Sequence, residues 1–290
     1  MPEGDTIFRA ARAMNQALAG KKVTRFESAL PKLTRVDEDT PLAGRTIESV
    51  SSAGKWNLIR FSGDLTLLTH MRMNGSWHLY RPRERWQRPR NDMRIVIETT
   101  DFIAVGFNVP VAEFHTEESL RRKPELRELG EDLLSEDFDT EAALEKLKSL
   151  ANEEIGIALL NQRVMAGIGN VYKSEICFGC RVNPFARIQS LNDAQLRCLV
   201  ETARKFLKAN VRQESGGGIF TYTGFRRTTG RDNPAKRLWV YGRRALPCTQ
   251  CGTKIEARKD KVDARVTFWC PNCQPLAAEL IAEAQRRGER

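Results

Sequence analysis

Cys248, Cys251, Cys270 and Cys273 form two C-x2-C pairs separated by eighteen residues, and no other feature of this 290-residue chain restricts its folding as tightly. Thiolates so spaced suit a tetrahedral zinc ion. The eighteen-residue insert then has to fold as a hairpin that returns the second pair to the first. Disulfides are the alternative, but pairs two residues apart in a chain that reads as cytosolic favour metal. Cys177 and Cys180 repeat the C-x2-C spacing without a second pair. With Phe178-Gly179 between them they read as small apolar residues at a helix end.

Composition limits the class of protein. Hydrophobic residues make up 41 %, enough to bury the cores of two domains at this length. There is no run of eighteen apolar residues, and Glu3 and Asp5 stand where a secretion signal needs basic residues. The expectation is a cytoplasmic protein with no membrane partner. Lys and Arg number 47 against 37 Asp and Glu, a formal +10, which favours a polyanionic partner such as nucleic acid.

The chain opens "MPEGDTIFRAARAMNQAL", with Ile7, Ala10, Ala11, Met14 and Leu18 on one helical face and Gly20 as a stop. Pro2 has two readings here. Proline suits a first helical turn because its missing N–H would lack a partner anyway. If Met1 is removed, however, Pro2 carries a free secondary amine. An α-amino group titrates near ~7.7–8.0, so a useful fraction is an uncharged nucleophile at neutral pH.

Residues 22 to 110 read as short extended runs separated by turns, among them Ser62-Gly63-Asp64, and predict an all-β sandwich or barrel behind the leading helix. Inside it lies "RPRERWQRPRNDMR", a solvated loop whose arginines could meet phosphates. From 116 to 139 the sequence reads as a linker and the start of a new unit. "TEAALEKLKSLANEEIGIALLNQ" and "LNDAQLRCLVETARKFLKANV" have helical periodicity, so 130 to 212 predicts a small helical domain. In "NQRVMAGIGNVYKSE", Gly167 and Gly169 allow close backbone approach and Asn170 begins a helix, an arrangement that suits a phosphate but also fits a plain helix connection with an asparagine cap. Residues 213–236 are Gly-rich and read as a mobile loop, and "LAAELIAEAQRRGER" as a short terminal helix.

"PEG" at the start, "GKW" at 54–56, "HMRMNG" at 70–75, "NQRVMAGIGNVYKSE" and "VYGR…PCTQCG…RVTFWCPNCQ" resemble, in that order, the motifs of the formamidopyrimidine-DNA glycosylase/endonuclease VIII family. The resemblance covers nearly the whole chain. It implies an α+β multi-domain protein: an N-terminal catalytic β-sandwich with a leading helix (1–120), a helix-two-turns-helix DNA-binding domain (121–238), a zinc-finger β-hairpin (239–275) and a tail (276–290). It implies a monomer acting on damaged double-stranded DNA with one structural zinc on Cys248, Cys251, Cys270 and Cys273. In such enzymes the proline amine attacks the anomeric carbon of the sugar, expels the damaged base and holds the sugar as a Schiff base, which permits strand cleavage by elimination. Pro2 matches that nucleophile and Glu3 the general acid/base. Lys55 matches the lysine that contacts a flanking phosphate and aids β-elimination, and Arg265 the zinc-finger arginine that grips phosphates and assists δ-elimination. Arg72 and Met73 match residues inserted where the base is flipped out, and Asn170 the phosphate-binding asparagine.

"PEGDT" and "HMRMNGSW" are more similar to the endonuclease VIII branch, which acts mainly on oxidised pyrimidines. The 8-oxoguanine branch opens "PELPE" and carries a "DPRRFG" loop, where this chain has "DFIAVGFNV" at 101–109. The second and third void-filling residues accordingly have no counterpart in the sequence. An 8-oxoguanine/formamidopyrimidine glycosylase of the same fold is the rival within the class. A catalytically silent DNA-binding zinc-finger protein is the rival outside it, and Pro2, Glu3 and Lys55 together argue against that.

Overall fold

The computed structural model describes residues 2–211, 228, 237–259 and 265–276. The Gly-rich loop at 213–236, apart from Thr228, and the terminal helix lie outside the described residues. The chain divides into two compact units, the first running to Glu128 and the second taking up at Leu129.

In the first unit, helix α1 (Gly4–Leu18) precedes strands β1 (Arg25–Ser28), β2 (Ile47–Ala53), β3 (Trp56–Phe61), β4 (Leu65–His70), β5 (Ser76–Tyr80), β6 (Met93–Glu98), β7 (Ile103–Phe107) and β8 (Val111–His115), with helix α2 (Pro31–Asp39) between β1 and β2. The strands form two antiparallel four-stranded sheets, ordered β1-β6-β7-β5 and β2-β3-β4-β8. Ile59, Phe61 and Leu67 of one sheet meet Trp77, Ile95 and Ile97 of the other in a single core that also takes in Ile7, Met14 and Leu18 of α1. The Trp77 indole donates to Thr69 Oγ1 at 3.2 Å, joining the sheets through the middle.

Helix α2 is a departure from the extended reading of residues 22–110. Its sequence, PKLTRVDED, offers only Leu33 as a fully buried apolar residue, too little periodicity to announce a helix. Tertiary packing decides it. Helix α2 lies against β1 and β8, the end strands of the two sheets, where Phe26 and Phe114 meet at 5.8 Å. Helix α1 lies against β2 and β5 at the opposite ends. Each helix thus covers one open side of the sandwich. Short helices α3 (Glu117–Arg121) and α4 (Pro124–Arg127) close the unit.

The second unit begins with α5 (Thr140–Lys148), capped by Asp139, and α6 (Ile155–Leu160), so the single periodic run read from the sequence is broken into two helices. Helix α7 (Asn170–Gly179) and the long α8 (Asp193–Val211) follow, and two-residue strands β9 (Glu131–Asp132) and β10 (Met165–Ala166) pair in parallel. Cys180 is not the apolar filler expected: it forms a disulfide with Cys198 of α8, a partner eighteen residues on that local spacing does not reveal. Cys177 is free and buried, as read. Strands β11 (Glu256–Lys259) and β12 (Val266–Trp269) pair as an antiparallel hairpin.

Glu175 of α7, fully buried, fixes this hairpin's approach. Its carboxylate accepts from the backbone N–H groups of Trp239, Val240 and Tyr241 at 2.8–2.9 Å and from the Thr228 hydroxyl. Burial pushes its carboxyl up, and these four donors oppose the shift. Glu175→Ala strands the buried Val240 amide and the part-buried amides of Trp239 and Tyr241, and denaturant unfolding should show a loss of about 3 kcal/mol. A loss under about 1 kcal/mol would mean the clamp is not structural.

Candidate active site and metal centre

At the start of α1 the helix N-cap is Glu3, not Pro2, with an extended backbone and no side-chain cap hydrogen bond. Pro2 therefore lies two residues before Gly4, the first helical position that proline favours. Both residues are buried. The Glu3 carbonyl starts the helix by accepting from Thr6 and Ile7, leaving its carboxylate unspent on capping.

Lys55 sits in the two-residue turn between β2 and β3. Gly54, at φ +55°, supplies the left-handed first position such a turn requires. Because Trp56 pairs with His70, this turn and the segment leaving β4 emerge at the same end of one sheet. There the 71–75 turn is closed by Gly75 N–H to the Met71 carbonyl at 2.9 Å. A Cβ on Gly75 would come within 2.6 Å of that oxygen and 3.1 Å of the Asn108 carbonyl, so only glycine permits the fit. Arg72 is held at φ +49° and its N–H donates to His70 Nδ1 at 3.0 Å. Met73 is 62 % exposed while Met71 is buried. That rules out a core role for Met73 and leaves an apolar side chain standing in solvent.

Met73, Arg72 and Asn74 line an open groove of about 440 Å³ with Arg94, Asn108, Val109 and Pro110. The sequence assigned no companions to Met73. They come from the β7–β8 turn, where Asn108 takes φ +48°, a residue type tolerant of that conformation and the only signal the sequence carried. His70 was also missed. Burial, then Arg72 and Lys55, lower its ring to about 4, and its unprotonated Nδ1 is already in use as an acceptor. The site end of the sheet therefore gains positive charge from Lys55 and Arg72 but none from His70 at neutral pH.

In the second unit Gly169 is the N-cap of α7 and Asn170 the first helical residue, so the asparagine-cap reading gives way. The Asn170 amide donates to the Val266 carbonyl at 2.8 Å, and its buried Oδ1 has no partner among the described residues. Arg265, exposed, immediately precedes Val266 on the hairpin, so these two expected phosphate-contacting residues are brought side by side. Lys173, also buried, donates to Thr267 Oγ1 of the same strand at 2.5 Å. Pro2, Glu3, Lys55, Arg72 and Met73 belong to the first unit, and Asn170, Arg265 and the cysteines to the second.

The sulfurs of Cys248, Cys251, Cys270 and Cys273 all lie within 4.8 Å of one another. Cys248 and Cys273 stand 3.9 Å apart and Cys251 and Cys270 3.5 Å, far beyond a disulfide bond. A tetrahedron with metal–sulfur bonds of about 2.3 Å has edges of about 3.8 Å, so the donor set fits zinc as it stands. Four close thiolates need such a cation. Ile255, Phe268 and Trp239 pack around the cluster together with Phe178 of α7.

The first 110 residues match the model of the formamidopyrimidine-DNA glycosylase N-terminal domain, and residues 129–221 that of the formamidopyrimidine-DNA glycosylase H2TH domain. A Streptomyces coelicolor protein named probable endonuclease 8 2 is 40 % identical over 280 residues, 94 % of each chain. The Mycolicibacterium smegmatis DNA-(apurinic or apyrimidinic site) lyase Nei2 is 37 % identical over 94 % of this chain and 99 % of its own, and Escherichia coli endonuclease 8 is 30 % identical over 94 % and 100 %. The chain belongs to the formamidopyrimidine-DNA glycosylase/endonuclease VIII family. Its fold matches the crystal structure of Lactococcus lactis Fpg in complex with abasic-site DNA, with a TM-score of 0.79 and 23 % identity over 95 % of this chain and all of that one.

Two measurements check this geometry. Native mass spectrometry should find one zinc per chain, and Cys270→Ser should lose it together with the hairpin's stability; an intact, metal-free hairpin would contradict the assignment. A nuclear magnetic resonance titration should place His70 near 4 rather than 6.5. The unfolded chain then takes up that proton first, so the ring's environment costs stability as pH falls from about 6.5 to 4. A midpoint above 6 would show the ring to be solvated.

Proposed function

We propose that the protein is a bifunctional DNA glycosylase and abasic-site lyase of base excision repair, working on oxidised bases, mainly pyrimidines, in double-stranded DNA. The observation that carries this is the pairing of a buried Pro2 outside the helix with a Glu3 carboxylate that does not cap it. Once Met1 is gone, the Pro2 nitrogen uses its lone pair to bond the sugar's anomeric carbon. Glu3 gives a proton to the ring oxygen as the ring opens, the bond to the base breaks with its electron pair leaving on the base, and the Pro2 N–H proton, lost as the second C–N bond forms, neutralises the departing base. The product is an iminium. Its positive nitrogen acidifies the neighbouring sugar hydrogens, so loss of a proton expels first one phosphate and then, with Arg265 at the flanking phosphates, the other.

Lys55, at the same sheet end as Met73, provides a cation for the phosphate beside the lesion and for the proton transfers of β-elimination. Met73 fills the space vacated by the flipped base, offsetting part of the lost stacking, with Arg72 beside it. Asn170 and Arg265 bind phosphate from the second unit, where the neighbouring hydrogen bond from Asn170 to Val266 sets them together. The domain roles follow: residues 1–120 carry the chemistry, 121–238 bind DNA and 239–275 form a finger held by a structural zinc on the four cysteines. The enzyme acts as a monomer in the cytoplasm. The preference for pyrimidines is supported by the "PEGDT" opening and by relatives named endonuclease 8 2 at 36–40 % identity, while Escherichia coli endonuclease 8 and the relatives named formamidopyrimidine-DNA glycosylase both stand at 30 %.

Pro2 and Glu3 should fail differently. Borohydride trapping on single-lesion duplexes should give a covalent adduct with the wild type and collapse in Pro2→Gly. Glu3→Gln should lose ~10²–10⁴-fold in base excision yet still cut a preformed abasic site, whose sugar opens spontaneously. Normal trapping by Pro2→Gly, or equal loss of both activities in Glu3→Gln, would sink the assignment.

A further inference from the structure

The arginine-rich segment between β5 and β6 is not a slack loop. Tyr80, the last residue of β5, pairs with Ile103, whereas Met93, the first of β6, pairs with Phe107 at the opposite end of β7. Residues 81–92 therefore have to travel back along the sheet by the length of a strand, about 13 Å. They do so as a strap anchored on the sheet's outer face. Trp86 stacks on Tyr80 at 6.3 Å and meets the edge of Phe107 at 5.7 Å, and the Gln87 N–H donates to the Tyr80 hydroxyl at 3.0 Å. Tyr80, Met93, Val96, Val105 and Phe107 form the apolar cluster beneath Trp86. At the far end the Asp92 carbonyl accepts from Asn108 at 2.7 Å, which fastens the strap to the turn beside Met73.

Residues 81–94 hold six arginines against two acids. Arg81 lies over the Phe102 ring at 4.3 Å and Arg90 is paired with Glu27 at 2.9 Å. Arg94 reaches the groove that Arg72 and Met73 line. Glu84 is spent on the Arg81 N–H. Arg83, Arg85 and Arg88 have no carboxylate within ion-pair distance among the described residues, and Arg83 stands at φ +70° on an exposed turn. A fixed strap with unneutralised guanidinium groups, running continuously to the edge from which Met73 projects, has the chemistry of a phosphate track. Its anchoring by Trp86 means that little ordering entropy is lost on binding.

We propose that Arg83, Arg85 and Arg88 form a second phosphate-binding surface that grips the sugar-phosphate backbone of duplex DNA flanking the base-flipping site. This rests on the reading of the protein as a DNA glycosylase, and it adds a contact that neither catalysis nor lesion recognition requires. An acidic protein partner would use the same charges. Continuity with the Met73 groove favours the backbone of the DNA already held there.

The test is the triple substitution Arg83→Ala, Arg85→Ala, Arg88→Ala, in which Arg83 and Arg85 are exposed and Arg88 is half-buried within electrostatic reach of His78 and Tyr80. Affinity for undamaged duplex is measured between about 50 and 200 mM salt for wild type and variant. Each lost phosphate contact lowers the log–log slope by about 0.9, so the variant's dependence should be shallower by about 2 to 3, with roughly tenfold weaker binding at the lower salt. Borohydride trapping on an abasic duplex at saturating protein should be unchanged. An unchanged salt slope would overturn the proposal even if the wild type traps normally, and lost trapping at saturation would overturn it by placing these arginines in the lesion site. If the wild type traps on no lesion, the glycosylase reading fails, and the slope difference on undamaged duplex still decides the strap.

Discussion

Helix α7 is the element on which the second unit depends, because it carries several side chains that hold the metal hairpin in place, and the best satisfied of these is a buried carboxylate. Glu175 collects three successive backbone N–H groups and the Thr228 hydroxyl. One or two residues away, Lys173 reaches Thr267 and Ser174 accepts from the Phe268 N–H, and five residues back Asn170 reaches the Val266 carbonyl. Further along, Asn183 donates to the Gln274 carbonyl and Gln274 returns a bond to Val182. A four-cysteine hairpin is too small to bury a core of its own, so its position depends on the hydrogen bonds that α7 and the segment after it make to it.

The same helix begins with Asn170, so the residue expected to meet phosphate is oriented by the contact that docks the hairpin carrying Arg265. The position of Asn170 is thereby tied to the docking of the cysteine hairpin. The buried Asn170 Oδ1, without a partner among the described residues, is the kind of polar atom that a functional site retains at a cost. In the first unit a different constraint operates. Two sheets leave open sides, and α1 and α2 cover them. Helix α1 consequently has to lie against β2 and β5, which fixes where Pro2 and Glu3 enter the core.

Much of this was legible beforehand, where chemistry is local. The cysteine quartet announced itself by spacing, α1 by an apolar face repeated every three to four residues, and the hairpins by turn residues between alternating runs. Pro2, Glu3 and Lys55 were singled out by short motifs, "PEG" and "GKW", that need no tertiary information. The failures are equally specific. Helix α2 has one buried leucine and no periodic stripe, and it exists because two sheet edges need covering. The Cys180–Cys198 pair was hidden because an i, i+3 neighbour drew attention from a partner on another helix. The companions of Met73 come from a turn more than thirty residues downstream, joined to it by β4–β8 and β5–β7 pairing.

The sequence by itself determined the class of chemistry: a potential N-terminal secondary amine beside a carboxylate, a thiolate set of zinc spacing and an excess of positive charge. Those are properties of residue type and short spacing, and they survive any arrangement of the rest. Only the tertiary structure decided which of these groups can act. It put Pro2 outside the helix cap, left Met73 in solvent while burying Met71, held the His70 ring neutral, and stretched an arginine-rich segment across a sheet face on a tryptophan anchor. The reason is physical: exposure, strain and desolvation are set by what packs around a residue. That packing comes from chain segments far away in sequence.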